Sequence, residues 1–466
     1  MSRRALVVAM VAIAAVAAVV FGIVGDGSDE DETVLPVSDG PPPTNPPLPP
    51  APISPTGPVS EEVRAALDSL VSDPLGVRLT EFETLGASGD PRIAWQLVDH
   101  MRVTIGFPGE TFSSNAVADL LGLSRIEARL LRDPDADPDA VGLAWADWTD
   151  LLLAWDVPTT QDYVDDKREL LAQVDPGFAV FVTDDDALDW RRVTWGGVER
   201  DGIPTLVDPI VTAAEEAAWL PDDEMILGLV VDGEARAYPQ RHLDVHEIAE
   251  DTLGDRRVHV TLCTLCGSAV AFDTTDVPGV GPLRLRTSGL LESSNKLMFD
   301  PETESLLRQF SGDAVTGELL DAGIELPILA LTVTSWSDWR EAHPDTTVLA
   351  EDPGTGRGYT PGVLEARDGD GPIFPVGDID GRLPSNLDVL GVDGPEGPVA
   401  FEPEALDAVL ADGPVLVAGI RIDAADGRPR FMTVDGDELT PLSTRWFAWA
   451  QRSPDTAIWP AEAAAS

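Results

Sequence analysis

The chain has 466 residues, 82 of them Asp or Glu and 31 Lys or Arg, for a formal charge of −51. That length leaves room for two or three compact domains of ~100–200 residues, and a hydrophobic content of 43% argues against global disorder. The charge excludes a nucleic-acid partner, because duplex affinity rests on Lys and Arg neutralising phosphates. Lys167 and Lys296 are the only lysines, and the two cysteines, Cys263 and Cys266, exclude a scaffold of several disulfides.

The N-terminus bears on compartment. Met1-Ser2-Arg3-Arg4 precedes an apolar run over residues 5–25, close to the ~20 residues that cross ~30 Å of hydrocarbon. No small-x-small cleavage site stands near its end, so the run is expected to be an uncleaved signal anchor forming a transmembrane helix. Arginines before it and Asp29-Glu30-Asp31-Glu32 after it place the N-terminus in the cytoplasm and the rest outside. The expectation is a single-pass membrane protein whose bulk is extracytoplasmic. Residues 26–59, acidic and then rich in proline, are expected to act as a semi-rigid linker.

Residues 60–173 carry helical signals. Ser60 is a suitable N-cap for Val63, Leu67, Leu70 and Val71 at helical spacing, and similar runs occur at 90–103, 114–123 and 124–132. Trp145, Trp148 and Trp155 fall on one helical face, where core packing explains them. This small helical region could also serve as a protein-partner surface.

After Asp175-Pro176-Gly177 the texture becomes short strands. Residues 225–231 and 234–238 flank Asp232-Gly233, which supplies the positive φ angles of a two-residue hairpin. Pro239 stops the second strand and is expected to open a helix over 240–251. Further strands are expected at 255–263, 268–273, 283–287, 296–299, 305–310, 415–422 and 430–434. No repeat of fixed period is present. The expected fold class is α+β: the transmembrane helix, the helical region, a β-rich domain of short antiparallel strands over 174–350, and its Gly/Pro-rich continuation over 351–466.

One segment carries pointed chemistry: Arg257-Val258-His259-Val260-Thr261-Leu262-Cys263-Thr264-Leu265-Cys266-Gly267. Period two puts His259, Thr261 and Cys263 on one face of a strand and Val258, Val260 and Leu262 on the other. A second Cys three residues on, followed by Gly, lets the two sulfurs converge. Such a turn serves a metal knuckle, which needs one or two further ligands, or a dithiol redox site. Of five histidines, His242, His246 and His259 lie within eighteen residues. The expected metal set is Cys263, Cys266, His246 and His259, holding zinc or copper, with Glu247 as general base or partner of a ligand. The alternative is thiol–disulfide chemistry, in which Cys263 attacks and Cys266 resolves, with Glu247 again a catalytic candidate. A structural disulfide, two inert thiols or a non-enzymatic surface module complete the range. After Gly267 the sequence reads as a strand, which disfavours a thioredoxin layout.

The chain resembles a bacterial and archaeal family catalogued as domain of unknown function 3179. The resemblance rests on Trp195-Gly196-Gly197-Val198, Asp201-Gly202-Ile203-Pro204, the stretch from Asp232-Gly233 to Tyr238-Pro239, His246-Glu247-Ile248, Cys263-x-x-Cys266-Gly267 and Ser288-Gly289-Leu290-Leu291. It continues through Asn295, Met298, Asp300, Thr303, Gln309 and Gly312 to Ser335-Trp336 and His343-Pro344-Asp345-Thr346, with a weaker echo from Trp446 to Trp459. It departs from the family at Thr264, where Pro is usual, at Val245, where Trp is usual, and at Glu250-Asp251, where Asn-Asp is frequent. The resemblance supplies a family without a reaction.

The polar groups between Gly289 and Gly312, including Ser293, Ser294, Asn295, Asp300, Thr303 and Gln309, are read as turn chemistry rather than a pocket lining. Ser288 lacks the Gly-x-Ser-x-Gly setting of a nucleophile elbow, and Gly354, Gly356 and Gly358 lack the helix and Lys of a phosphate loop.

Overall fold

The computed structural model describes residues 33–38, 40, 48–134, 144–362, 371–425 and 428–460. The expected span at 5–25 lies outside the described residues, and among these no helix is long and apolar enough to cross a membrane. The architecture is α+β, with helices first and sheets of mainly antiparallel strands after them.

Helices occupy Glu61–Ser72, Leu79–Ala87, Ala94–Val103, Pro108–Leu121, Arg125–Arg132, Ala144–Ala154 and Tyr163–Val174. Ser60 caps the first, accepting from the Val63 N–H, and buries Val63, Leu67, Leu70 and Val71 beneath it. The helix expected to start at Ser114 starts instead at Pro108, whose fixed φ suits a first turn. Trp145 and Trp148 are buried as expected; Trp155 lies beyond the helix end and donates its indole N–H to the Pro49 carbonyl. The helical core does not close on itself. It continues into Leu290, Leu291, Leu297, Phe299 and Leu306 of the strands that follow.

The Asp-Gly hairpin forms as the sequence predicts, Met225–Val231 against Glu234–Pro239, with Asp232 and Gly233 at φ +51° and +88°. The helix after Pro239 is shorter than expected, Gln240–His246. Glu247 takes φ +58°, and the chain then runs as the strand Ile248–Leu253 against Arg256–Cys263. A residue in the left-handed region ends a helix, and pairing with the neighbouring strand supplies the hydrogen bonds that further helical turns would have made. The single strand expected at 415–422 is two, Val415–Val417 and Ile420–Ala425, folded back at Ala418-Gly419 with both residues at positive φ. Thr33–Leu35, expected in the linker, pairs in parallel with Val415–Val417, so the linker is not a free spacer throughout.

The strands contain a duplication that no fixed period reveals. In one unit Leu331–Ser335, Met225–Val231, Glu234–Pro239 and Thr347–Leu349 lie side by side, with the last pair parallel. In the other, Leu442–Arg445, Asp388–Gly394, Gly397–Phe401 and Ala457–Trp459 lie in the same order and with the same directions. Leu227 faces Tyr238 as Leu390 faces Phe401, and Val348 lies beside Ala237 as Ile458 lies beside Ala400. Each unit has a short helix, Trp336–Ala342 or Trp446–Arg452, whose second Trp covers a strand glycine. A Cβ on Gly228 would stand 2.3 Å from Trp339, and one on Gly391 2.2 Å from Trp449. The Trp339 indole donates to Thr346 Oγ1 at 2.9 Å and the Trp449 indole to Thr456 Oγ1 at 2.8 Å. The period is lost because a long insertion separates Pro239 from Leu331 and a shorter one separates Phe401 from Leu442.

Candidate functional site

The insertion of the first unit holds the cysteine turn. Arg256–Cys263 and Ser268–Asp273 pair antiparallel down to Cys263 opposite Ser268, and Gly267 at φ +62° closes the turn between them. The strand alternates as its sequence predicts: Val258, Val260 and Leu262 enter one core while Cys263 enters the other. The second unit braces the turn from outside. Arg445 N–H and Thr444 Oγ1 donate to the Cys266 carbonyl at 3.0 and 3.1 Å.

Both cysteines are free, and they are 1% and 0% exposed. Around Cys266 lies a buried polar network. Asn295 Nδ2 donates to its sulfur at 3.1 Å and contacts Ser268 Oγ and Gln309 Oε1 at 3.1 and 3.0 Å. Ser268 Oγ lies 3.1 Å from the same sulfur and donates to Gln309 Oε1 at 2.6 Å. Gln309 Nε2 donates in turn to Thr261 Oγ1 and the Ser268 carbonyl. A network satisfied in this way fixes the position of its members. Cys263 directs its thiol toward the Ser294 carbonyl at 3.8 Å.

Lys296 brings a positive charge to this buried setting. Its ammonium donates to the Leu262 carbonyl at 2.9 Å and pairs with Glu247 Oε2 at 2.8 Å, while Thr264 Oγ1 donates to Glu247 Oε1 at 3.1 Å. Burial pushes the Cys263 thiol up, but its hydrogen bond with Cys266 and the charge of Lys296 outweigh burial and bring it down to about 7. Cys266 moves the other way, raised by burial and by the same contact with Cys263. The pair therefore gives up its first proton at Cys263 and keeps the second on Cys266.

Of the residues predicted from sequence, Cys263, Cys266 and Glu247 come together and the histidines do not. The left-handed conformation of Glu247 turns its carboxylate toward Lys296 and leaves the preceding ring on the other side. His246 Nδ1 lies 2.6 Å from the Pro204 carbonyl and Nε2 2.8 Å from the Tyr359 hydroxyl. His242 packs its ring on Tyr359, with centroids 4.3 Å apart. His259 shares a strand face with Cys263 but stands four residues away, about 13 Å along a strand. Its Nδ1 meets Thr274 Oγ1, and its Nε2 accepts the Leu285 N–H. The expected zinc or copper set of Cys263, Cys266, His246 and His259 is therefore not assembled, since shared ligands must approach one ion to ~2.0–2.3 Å. Among the described residues no three His, Cys, Asp or Glu side chains are grouped to hold a metal ion.

A family model described as a protein of unknown function (DUF3179) matches residues 200–418. Over that region the chain is similar to this family. The matched region includes both cysteines, Glu247, Asn295, Lys296 and Gln309, and ends before Thr444, Arg445 and the second Trp helix. No curated protein and no solved structure matches the chain.

Sequence reasoning missed Lys296, Asn295, Gln309 and Ser268 as parts of the site. Lys296 carried a signal, being one of two lysines in a chain whose other cations are Arg. The turn reading fits Asp300, whose carboxylate accepts from the N–H groups of Arg284, Glu302 and Thr303. It fails for Asn295, whose amide donates to the Cys266 sulfur, and for Gln309, whose amide holds Asn295 and Ser268 in place.

Proposed function

We propose that Cys263 and Cys266 form a redox centre that cycles between two thiols and a disulfide. The observation carrying this reading is a pair of free, buried thiols on one turn, with the Lys296 ammonium bound to the Leu262 carbonyl next to Cys263 and favouring its thiolate. In exchange, the Cys263 thiolate attacks one sulfur of a partner disulfide and forms a mixed disulfide, releasing a thiolate. Cys266 then attacks the Cys263 sulfur, expels the second thiolate and passes its proton to the departing pair, so two electrons leave the centre. An extracytoplasmic position, as expected from the N-terminal sequence, would place it where disulfides persist.

The test is equilibration of the full chain in dithiothreitol buffers, with thiols counted by alkylation and mass. The expected result is loss of two thiols as a pair, with a midpoint between about −120 and −270 mV. Two thiols surviving full oxidation of the buffer, or a midpoint below about −300 mV typical of a structural bridge, overturns the reading.

A further inference from the structure

We propose that the oxidant of this centre is a small hydroperoxide, hydrogen peroxide being the simplest, which Cys263 reduces and Cys266 resolves; this rests on the redox reading above. Access argues for it. Both sulfurs are covered, Cys263 beneath the Ser294 carbonyl. Exchange with a disulfide requires three sulfurs in line, with the substituents of the departing thiol behind them. A peroxide needs space for little more than a water molecule. Among the described residues, one groove of about 550 Å³ lies between Ala217 and Pro344, and a small cleft beside Arg102 is lined by helix residues together with Arg191–Thr194 and Pro375; neither of these two has a cysteine in its wall.

The polar surroundings argue for it independently. Ser294 is fully buried, its hydroxyl has no hydrogen-bond partner among the described residues, and its carbonyl is the one that Cys263 faces. A buried hydroxyl without a partner is destabilising, and a polar guest would satisfy it. Ser293 and Ser294 both take positive φ, at +45° and +69°, as does Glu247. For the two serines this is the two-residue turn that joins Arg286–Glu292 to Asn295–Phe299, and it presents the Ser294 carbonyl to Cys263. Cleavage of an O–O bond develops negative charge on the departing oxygen. Lys296, with the Glu247 carboxylate 2.8 Å away, is the group able to meet that charge and supply a proton.

The balance is complete. The Cys263 thiolate attacks the terminal oxygen of R–O–OH; an S–O bond forms, the O–O bond breaks, and the alkoxide takes from the Lys296–Glu247 pair the proton that Cys263 gave up. Cys266 then attacks the resulting sulfenic acid; the S–S bond forms, the S–O bond breaks, and water leaves with the Cys266 proton. Two thiols and one hydroperoxide become one disulfide, one alcohol and one water.

Reduced full-length protein is mixed in parallel with hydrogen peroxide and with oxidised glutathione at equal concentration, and thiol loss is followed by quenched alkylation. The expected result is one peroxide consumed per disulfide formed, at a rate about tenfold or more above that with glutathione. Cys266→Ser is expected to stop at a sulfenic acid on Cys263, trapped by dimedone. Lys296→Met is expected to slow the peroxide step about tenfold and to move its pH profile upward, with partial rescue by Lys296→Arg. Faster oxidation by glutathione than by peroxide overturns the inference and leaves the redox reading standing. A folded protein in which neither reagent closes the bond ends both. The comparison of the two oxidants uses the unmodified chain and so does not depend on any variant folding.

Discussion

The two units that share a frame differ in what they do with it. Both stack a hairpin, a returning strand and a parallel strand, and both lock them with a tryptophan lying over a glycine whose hydrogen-bonded partner is a Thr in Pro-Asp-Thr. Yet the helix that follows each hairpin presents different chemistry. In the first unit it carries Arg241, His242 and His246, with Leu243 buried; at the matching positions the second carries Glu404, Ala405 and Val409, with Leu406 buried. The insertions diverge further. That of the second unit is a small sheet of Val415–Val417, Ile420–Ala425, Arg428–Thr433 and Glu438–Leu439 over an apolar core. That of the first contains the thiol pair, Lys296 and their network. A frame stabilised by burying apolar area tolerates replacement of whatever it does not bury, so the duplicated part fixes position and the unduplicated part holds the chemistry.

The largest effect should come from the shared lock. Trp339→Ala and Trp449→Ala are each expected to cost about 3–5 kcal/mol in denaturant unfolding, because each leaves a cavity over a glycine strand. A loss below about 1 kcal/mol in one and not the other would break the equivalence of the units.

The histidines of the first unit give the next test. Burial depresses His242 to about 4, against an ordinary value of 6.5. The unfolded chain then binds more protons between these values, so stability is complete above pH ~6.5 and is lost as pH falls toward 4, by up to about 3 kcal/mol. His242→Ala, which installs the residue of the second unit, is expected to flatten this slope in unfolding experiments from pH 7 to 4. Asp150, pushed up to about 6 by burial, titrates the other way in both proteins and cancels in the difference. An unchanged slope would show that the ring is not buried in its neutral form.

Smaller again are the glycines. Gly228→Ala and Gly391→Ala each place a methyl within 2.3 Å of an indole carbon, and overpacking of this kind costs about 1–3 kcal/mol. Equal losses at the two positions would sharpen the comparison, and a tolerated alanine at either would show that its tryptophan shifts freely.

Much of this was legible in the chain itself. The Asp232-Gly233 hairpin, the Ser60 cap, the buried Trp145 and Trp148, the alternation along 256–263 and the convergence of the two cysteines all follow from local rules, because turn chemistry and residue period act over a few neighbours. The Trp-x-x-Trp and Pro-Asp-Thr segments were visible too, at 336–346 and 446–456, but unequal insertions hid their kinship from any search for a period. Sequence proximity misled at the histidines. His246 adjoins Glu247 in the chain, and one left-handed residue sends their side chains to opposite sides. His259 shares a face with Cys263, and the rise of a strand carries it out of reach.

Composition, the two-cysteine turn and the family likeness of residues 200–418 were settled by the sequence, since each depends on residue identity at short range. Which groups surround the thiols was settled only by folding. Asn295 and Lys296 come from the strand Asn295–Phe299, Gln309 from the turn after Leu306–Arg308, and Thr444 and Arg445 from the second unit. Their meeting depends on sheet register and on cores closing across long loops, which no local preference encodes.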